Sequence, residues 1–125
     1  MDTNVKIMIK DGIDKFNKRR FYDSHEIFED VWINHKLDDR LFIQGLIQLS
    51  VAYFHISNQN KNGAIGLFKK CTTKLNLYKK TSSFIINLDE IIDMANKSLL
   101  YLESIEDMKY FKWELAPQLL LSDEF

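Results

Sequence analysis

Leu41-Phe42-Ile43-Gln44-Gly45-Leu46-Ile47-Gln48-Leu49-Ser50-Val51-Ala52-Tyr53-Phe54-His55-Ile56 is the most hydrophobic run in the chain, and it reads as one helix. It is short of the roughly 20 apolar residues that a membrane span needs, and it carries Gln44, Gln48, Ser50 and His55. When each residue is advanced by the roughly 100° of an α-helix, Gln44, Gln48, Val51 and His55 fall on one narrow line. Phe42, Leu46, Leu49 and Tyr53 lie opposite that line, Ile43, Ile47 and Phe54 on one flank, and Gly45 with Ala52 on the other. A helix apolar almost all round is central in its fold. Its polar line then faces water at a slit or is met by polar groups of another helix, because an unpaired buried amide costs about 1–3 kcal/mol.

Outward from this helix the chain reads as further helices. A first helix begins at Thr3, read as its N-cap, with Val5, Met8, Ile9, Gly12, Ile13 and Phe16 on one face, and ends in the basic stretch around Asn17 to Arg20. A second runs from about Asp23, an N-cap with Glu26 three residues on, to about His35, with Ile27, Phe28, Val31 and Trp32 as its stripe. Asp38 or Asp39 caps the central third helix. After the turn Ser57-Asn58-Gln59-Asn60, a fourth helix buries Ala64, Leu67, Phe68, Cys71, Leu75 and Tyr78 and leaves Lys69, Lys70 and Lys74 as a solvated face. A further turn is expected around Thr81-Ser82-Ser83. From about Leu88 a fifth helix uses Ile91, Ile92, Ala95, Leu99 and Leu102. Phe16 to Trp32 and His55 to Cys71 echo each other as helix end, polar turn and new helix. Period-two alternation is absent, so the expected fold is all-α: about five helices in antiparallel hairpins, a compact bundle or array around a buried third helix. Residues 1–125 are read as one domain.

The composition agrees. One Pro and four Gly in 125 residues leave long helices uninterrupted, and a lone Cys excludes an intrachain disulfide framework. With 17 Lys and Arg against 18 Asp and Glu, the net charge of −1 argues against a nucleic acid or an anionic membrane as the main partner. No signal-peptide-like apolar run follows Met1-Asp2-Thr3-Asn4, so a cytoplasmic location is expected, or the plastid stroma if the gene is organellar.

The second helix offers groups that match the polar line of the third. His25 and Glu29 are four residues apart and Trp32 three further on, so they share a face. Glu26 sits about 100° round from it. A network between His25 and Glu29 on one helix and Gln44, Gln48 and His55 on the other is the structural expectation. Such a network would fix packing and register, or would surround a small ligand or a metal.

These residues also carry a resemblance. Phe21-Tyr22-Asp23-Ser24-His25-Glu26-Ile27-Phe28-Glu29-Asp30-Val31-Trp32, then Gln44-Gly45-Leu46-Ile47-Gln48, then Tyr53-Phe54-His55 and Asn60, Gly63 and Ala64, resemble the domain of unknown function catalogued as DUF 309. The family-like core spans residues 16–75, with a tail at about 107–125. Ser24 stands where Ala is commoner in the family. The resemblance implies a small all-helical protein and no established activity, and it groups His25, Glu26, Glu29, Trp32, Gln44, Gln48 and His55 as one constellation.

The chemistry open to that constellation is limited. His-Glu followed by Glu resembles a fragment of a helical metal motif, but the zinc-protease pattern needs His at i+4, where Glu29 stands. His25, Glu29 and His55 are the candidate set for a metal such as zinc or iron. Cys71 lies on an apolar face and reads as an inert core thiol. No Gly-rich phosphate loop is present, and no cofactor is implied. The aromatic and leucine-rich tail, Tyr110-Phe111-Lys112-Trp113 and Leu119-Leu120-Leu121, needs burial in the domain's own groove, against a second copy or against another protein. The expected function is therefore a non-catalytic interaction or small-ligand-binding module, with a hydrolase-like metal-dependent enzyme as the alternative. A protein partner or a homo-oligomer would be reached through the tail.

Overall fold

The computed structural model describes residues 1–81 and 83–125. Five α-helices follow one another: α1 (Thr3–Asn17), α2 (Phe21–Asn34), α3 (Arg40–Ser57), α4 (Lys61–Asn76) and α5 (Leu88–Ser104). Two short 3-10 turns, Met108–Tyr110 and Trp113–Leu115, punctuate the tail. Among the described residues there is no strand, only an isolated bridge between Ile85 and Leu121. No described helix is long and apolar enough to cross a membrane.

The helix starts differ from expectation in two places. Asp2, rather than Thr3, caps α1, its carboxylate accepting from Asn4 N at 2.6 Å; an anion there also suits the positive end of the helix dipole. α2 begins at Phe21, two residues ahead of Asp23, which instead pairs with Arg20 at 2.7 Å in the first turn. Phe21 is drawn into the helix because its ring is core, packed on Phe16 and Tyr53. Asp39 precedes α3 as expected, without a capping bond from its side chain. Asn60 caps α4 by accepting from Gly63 N at 3.0 Å.

Two hairpin turns are built alike, which gives the internal echo a physical basis. Arg19 and Gln59 both take left-handed backbone, φ 62° and 60°. In each case the following residue donates back into the last turn, Arg20 N to Lys15 O and Asn60 N to His55 O, both at 2.8 Å. The expected turn at Thr81-Ser82-Ser83 contains Ser82, which lies outside the described residues.

α3 packs against α2 on one side and α4 on the other. The α3–α4 and α1–α2 crossings are close because a glycine lies in each: a Cβ on Gly45 would sit 2.9 Å from Leu75 of α4, and one on Gly12 of α1 would sit 2.8 Å from the Phe28 ring of α2. Tyr53 is the hub of the interior. Fully buried, it meets the rings of Phe16, Phe21, Phe68, Phe111 and Trp113 at centroid distances of 4.9 to 6.4 Å. Its hydroxyl is paired with Ser98 Oγ at 2.9 Å and donates to Leu115 O at 3.2 Å. Burial pushes its ionisation far above the ordinary tyrosine range.

The tail takes the first of its three options. Met108, Phe111, Pro117 and Leu119 are buried in the chain's own interior, and Trp113 stacks on Phe21 at 5.8 Å. Two asparagine amides clamp the segment. Asn17 donates to Leu119 O at 3.0 Å and accepts from Leu119 N at 2.7 Å, while Asn87 donates to Gln118 O and accepts from Leu120 N. The apolar side chains of the tail are thus largely consumed within the fold, while Tyr110 and Leu120 stay exposed.

Candidate functional site

The expected network would need α2 and α3 to meet through their polar lines, but the contacts between these helices run elsewhere. Phe21 stacks on Tyr53, the Tyr22 ring lies 5.1 Å from Phe54, and Ser24 Oγ lies 3.4 Å from Ser50 Oγ. All three α3 residues lie about 80° or more round the helix from the line of Gln44, Gln48 and His55. α4 approaches the opposite flank, at Gly45. The polar line therefore lies on the outer side of α3, between α2 and α4, and its residues are half-buried.

The seven candidate residues fall into two groups, and no hydrogen bond among the described residues joins one to the other. On α2, His25 Nδ1 donates to Tyr22 O at 2.6 Å, so the ring proton is on Nδ1, and Nε2 stands 3.5 Å from Glu29 Oε2. His25 is mostly covered; Glu29 and Glu26 are exposed. Trp32, half-buried, lies under the Arg40 guanidinium at 4.5 Å, and Arg40 also donates to Trp32 O at 2.9 Å. On α3, His55 Nδ1 is 3.4 Å from the Asn60 amide. Gln48 Oε1 is sealed from water and has no hydrogen-bond partner. Among the described residues no group of three or more His, Cys, Asp or Glu side chains is placed to hold a metal ion, so His25, Glu29 and His55 are not brought together as a ligand set.

A buried polar contact that joins α2 to its neighbours is one that helical patterning does not single out. Ser24 Oγ donates to Gly12 O of α1 at 2.8 Å, and Ser50 Oγ donates to Leu46 O at 2.9 Å, with both serines fully buried. The one available signal was Ser24 itself, a small residue where the family motif favours Ala. At such a crossing only small side chains fit.

The model of the family described as Domain of unknown function (DUF309) matches residues 9–67. Over that segment, a little under half of its length, the chain is similar to the DUF309 family. The DUF309 segment starts inside α1 and ends inside α4, so it holds both hairpin turns, the Ser24–Ser50 crossing and all seven candidate residues. The match begins seven residues before the family-like core expected from the motifs and ends eight before it. α5 and the tail lie beyond it. Neither the curated proteins nor the solved structures compared with the chain include a match.

Proposed function

We propose that this chain is a non-catalytic interaction module whose binding face is the outer side of α2, α3 and α4. The observation that carries the reading is Gln48 Oε1, a carbonyl oxygen withheld from water and left unpartnered at the centre of the polar line. Such an atom costs about 1–3 kcal/mol in the isolated chain, and a partner toward which the half-buried Gln48 side chain turns outward would recover it through a hydrogen bond. The surroundings support a protein surface as that partner. Tyr22 and Ile33 are 49% and 61% exposed, and Ile47, Val51 and Phe54 are half-buried, so apolar area flanks the polar line as it does in protein interfaces.

Site-specific photocrosslinking in the cells that make the protein tests this. A crosslinker at position 29 or 51 is expected to capture a protein, either this chain or another, and one at Glu103 on α5 is expected to capture none. Equal capture at all three positions, or none at 29 and 51, removes the reading. So does native mass spectrometry of the purified chain that finds a small molecule bound and displaced by Gln48→Leu.

A further inference from the structure

The two walls of this face carry opposite charge at matching heights. The α2 wall presents Glu26 and Glu29, both exposed. The α4 wall presents Lys70, exposed, and Lys74, half-buried. Among the described residues Glu26, Lys70 and Lys74 make no ion pair, and Glu29 meets only His25. α2 and α4 both run antiparallel to α3, and the cross-helix contacts set their registers. Phe21 against Tyr53, Tyr22 against Phe54 and Ser24 against Ser50 place Glu29 level with Leu46, and Glu26 level with Leu49. Gly45 against Lys74 and Leu75, with Tyr53 against Phe68, places Lys74 level with Gly45 and Leu46, and Lys70 level with Leu49 and Ser50. Each glutamate thus shares its height with one lysine to within about one residue, a rise of ~1.5 Å.

Resting on the interaction reading above, we propose that the occupant of this face is a second copy of the same chain, related by a two-fold axis parallel to α3. That operation turns the face over, so α2 of each copy lies on α4 of the other while heights along α3 are unchanged. Glu29 then opposes Lys74 and Glu26 opposes Lys70, twice over, as an isologous interface requires. A two-fold axis across α3 would instead set α2 on α2 and bring like charges together, which selects the first arrangement. The same operation places Gln48 opposite Gln48, where each side chain, turned outward from its covered position, can donate an amide N–H to the other's oxygen. A buried amide pair on a two-fold axis sets register and orientation, as a single Asn pair does in parallel coiled coils. The apolar flanks of Tyr22, Ile33, Val51 and Phe54 supply the area that the pairs only align.

Sedimentation equilibrium of the purified full chain tests the arrangement. The expected mass is twice the 14.8 kDa of one chain. Reversal of one wall, Glu26→Lys with Glu29→Lys, is expected to weaken the dimer at least about tenfold. Reversal of both walls in one chain, adding Lys70→Glu and Lys74→Glu, is expected to restore it. All four side chains are at the surface, so far-UV circular dichroism should be unchanged, and Val51→Arg at the centre of the face gives a separate monomerising variant. A monomeric parent chain, or a four-residue reversal that is folded but no tighter than the two-residue one, overturns the proposal. A monomer whose face still crosslinks a different protein in cells overturns the second-copy assignment and leaves the interaction reading standing. A face that crosslinks nothing overturns both.

Discussion

Cys71 shows how burial decides chemistry at a single residue. Its thiol is fully buried on α4 and donates to Phe68 O at 3.4 Å; loss of solvation pushes its ionisation from 9.0 up to about 12. Since the thiolate is the nucleophile, Cys71 should resist iodoacetamide in the native protein at pH 8 and react fully in denaturant, as mass spectrometry would show. Tyr53, raised from 10.0 by the same desolvation, acts in the same direction. Above about pH 9 the unfolded chain releases these protons while the folded chain keeps them, so the folded state binds more protons and stability falls as pH rises. Urea denaturation midpoints should accordingly drop between pH 8 and pH 11, and Cys71→Ser should flatten part of that slope. Cys71 as an inert thiol was legible in the sequence, because Leu67, Phe68 and Leu75 share its face at helical spacing. Ser24 and Ser50 were not, since a serine looks the same whether it caps, faces water or lines a helix crossing.

The helices show where local rules suffice and where they yield. Stripes such as Val5, Ile9, Ile13 and Phe16 in α1, or Ile91, Ile92, Ala95 and Leu102 in α5, are buried as their spacing requires. Helix starts were less legible, because Phe21 extends α2 for the sake of packing rather than capping. Gly45 is set by contact with a neighbouring helix: Leu75, fully buried, occupies the space a side chain would need. Gly45→Val should cost about 1–3 kcal/mol by forcing α3 and α4 apart, measured by chemical denaturation. Gln59 offers the opposite case. It is exposed, has φ 60° and makes no side-chain bond among the described residues, so Gln59→Gly should relieve left-handed strain and leave the protein equally stable or up to about 1 kcal/mol more stable.

For the whole molecule, the tail closes the interior. Asn17 and Asn87 hold it at three residues, Gln118, Leu119 and Leu120, and Leu119 is buried between them. Asn17→Ala should cost about 2 kcal/mol, because Leu119 N–H and C=O both lose their partner, and hydrogen exchange at Leu119 should accelerate by more than the global destabilisation explains. Removing residues 117–125 should lower the melting temperature steeply rather than merely release a partner. By itself the sequence determined the class and order of elements: helical spacing, scarce breakers and the polar line on the third helix are properties of neighbouring residues, readable at 3.6 residues per turn. Only the tertiary structure decided which way that line faces. Periodicity gives each side chain an angle about its own axis but not the rotation of one helix against the next, which depends on where glycines and serines permit close approach. The crossings at Ser24–Ser50 and Gly45–Leu75 turn Gln44, Gln48 and His55 outward between two oppositely charged walls, and away from His25 and Glu29.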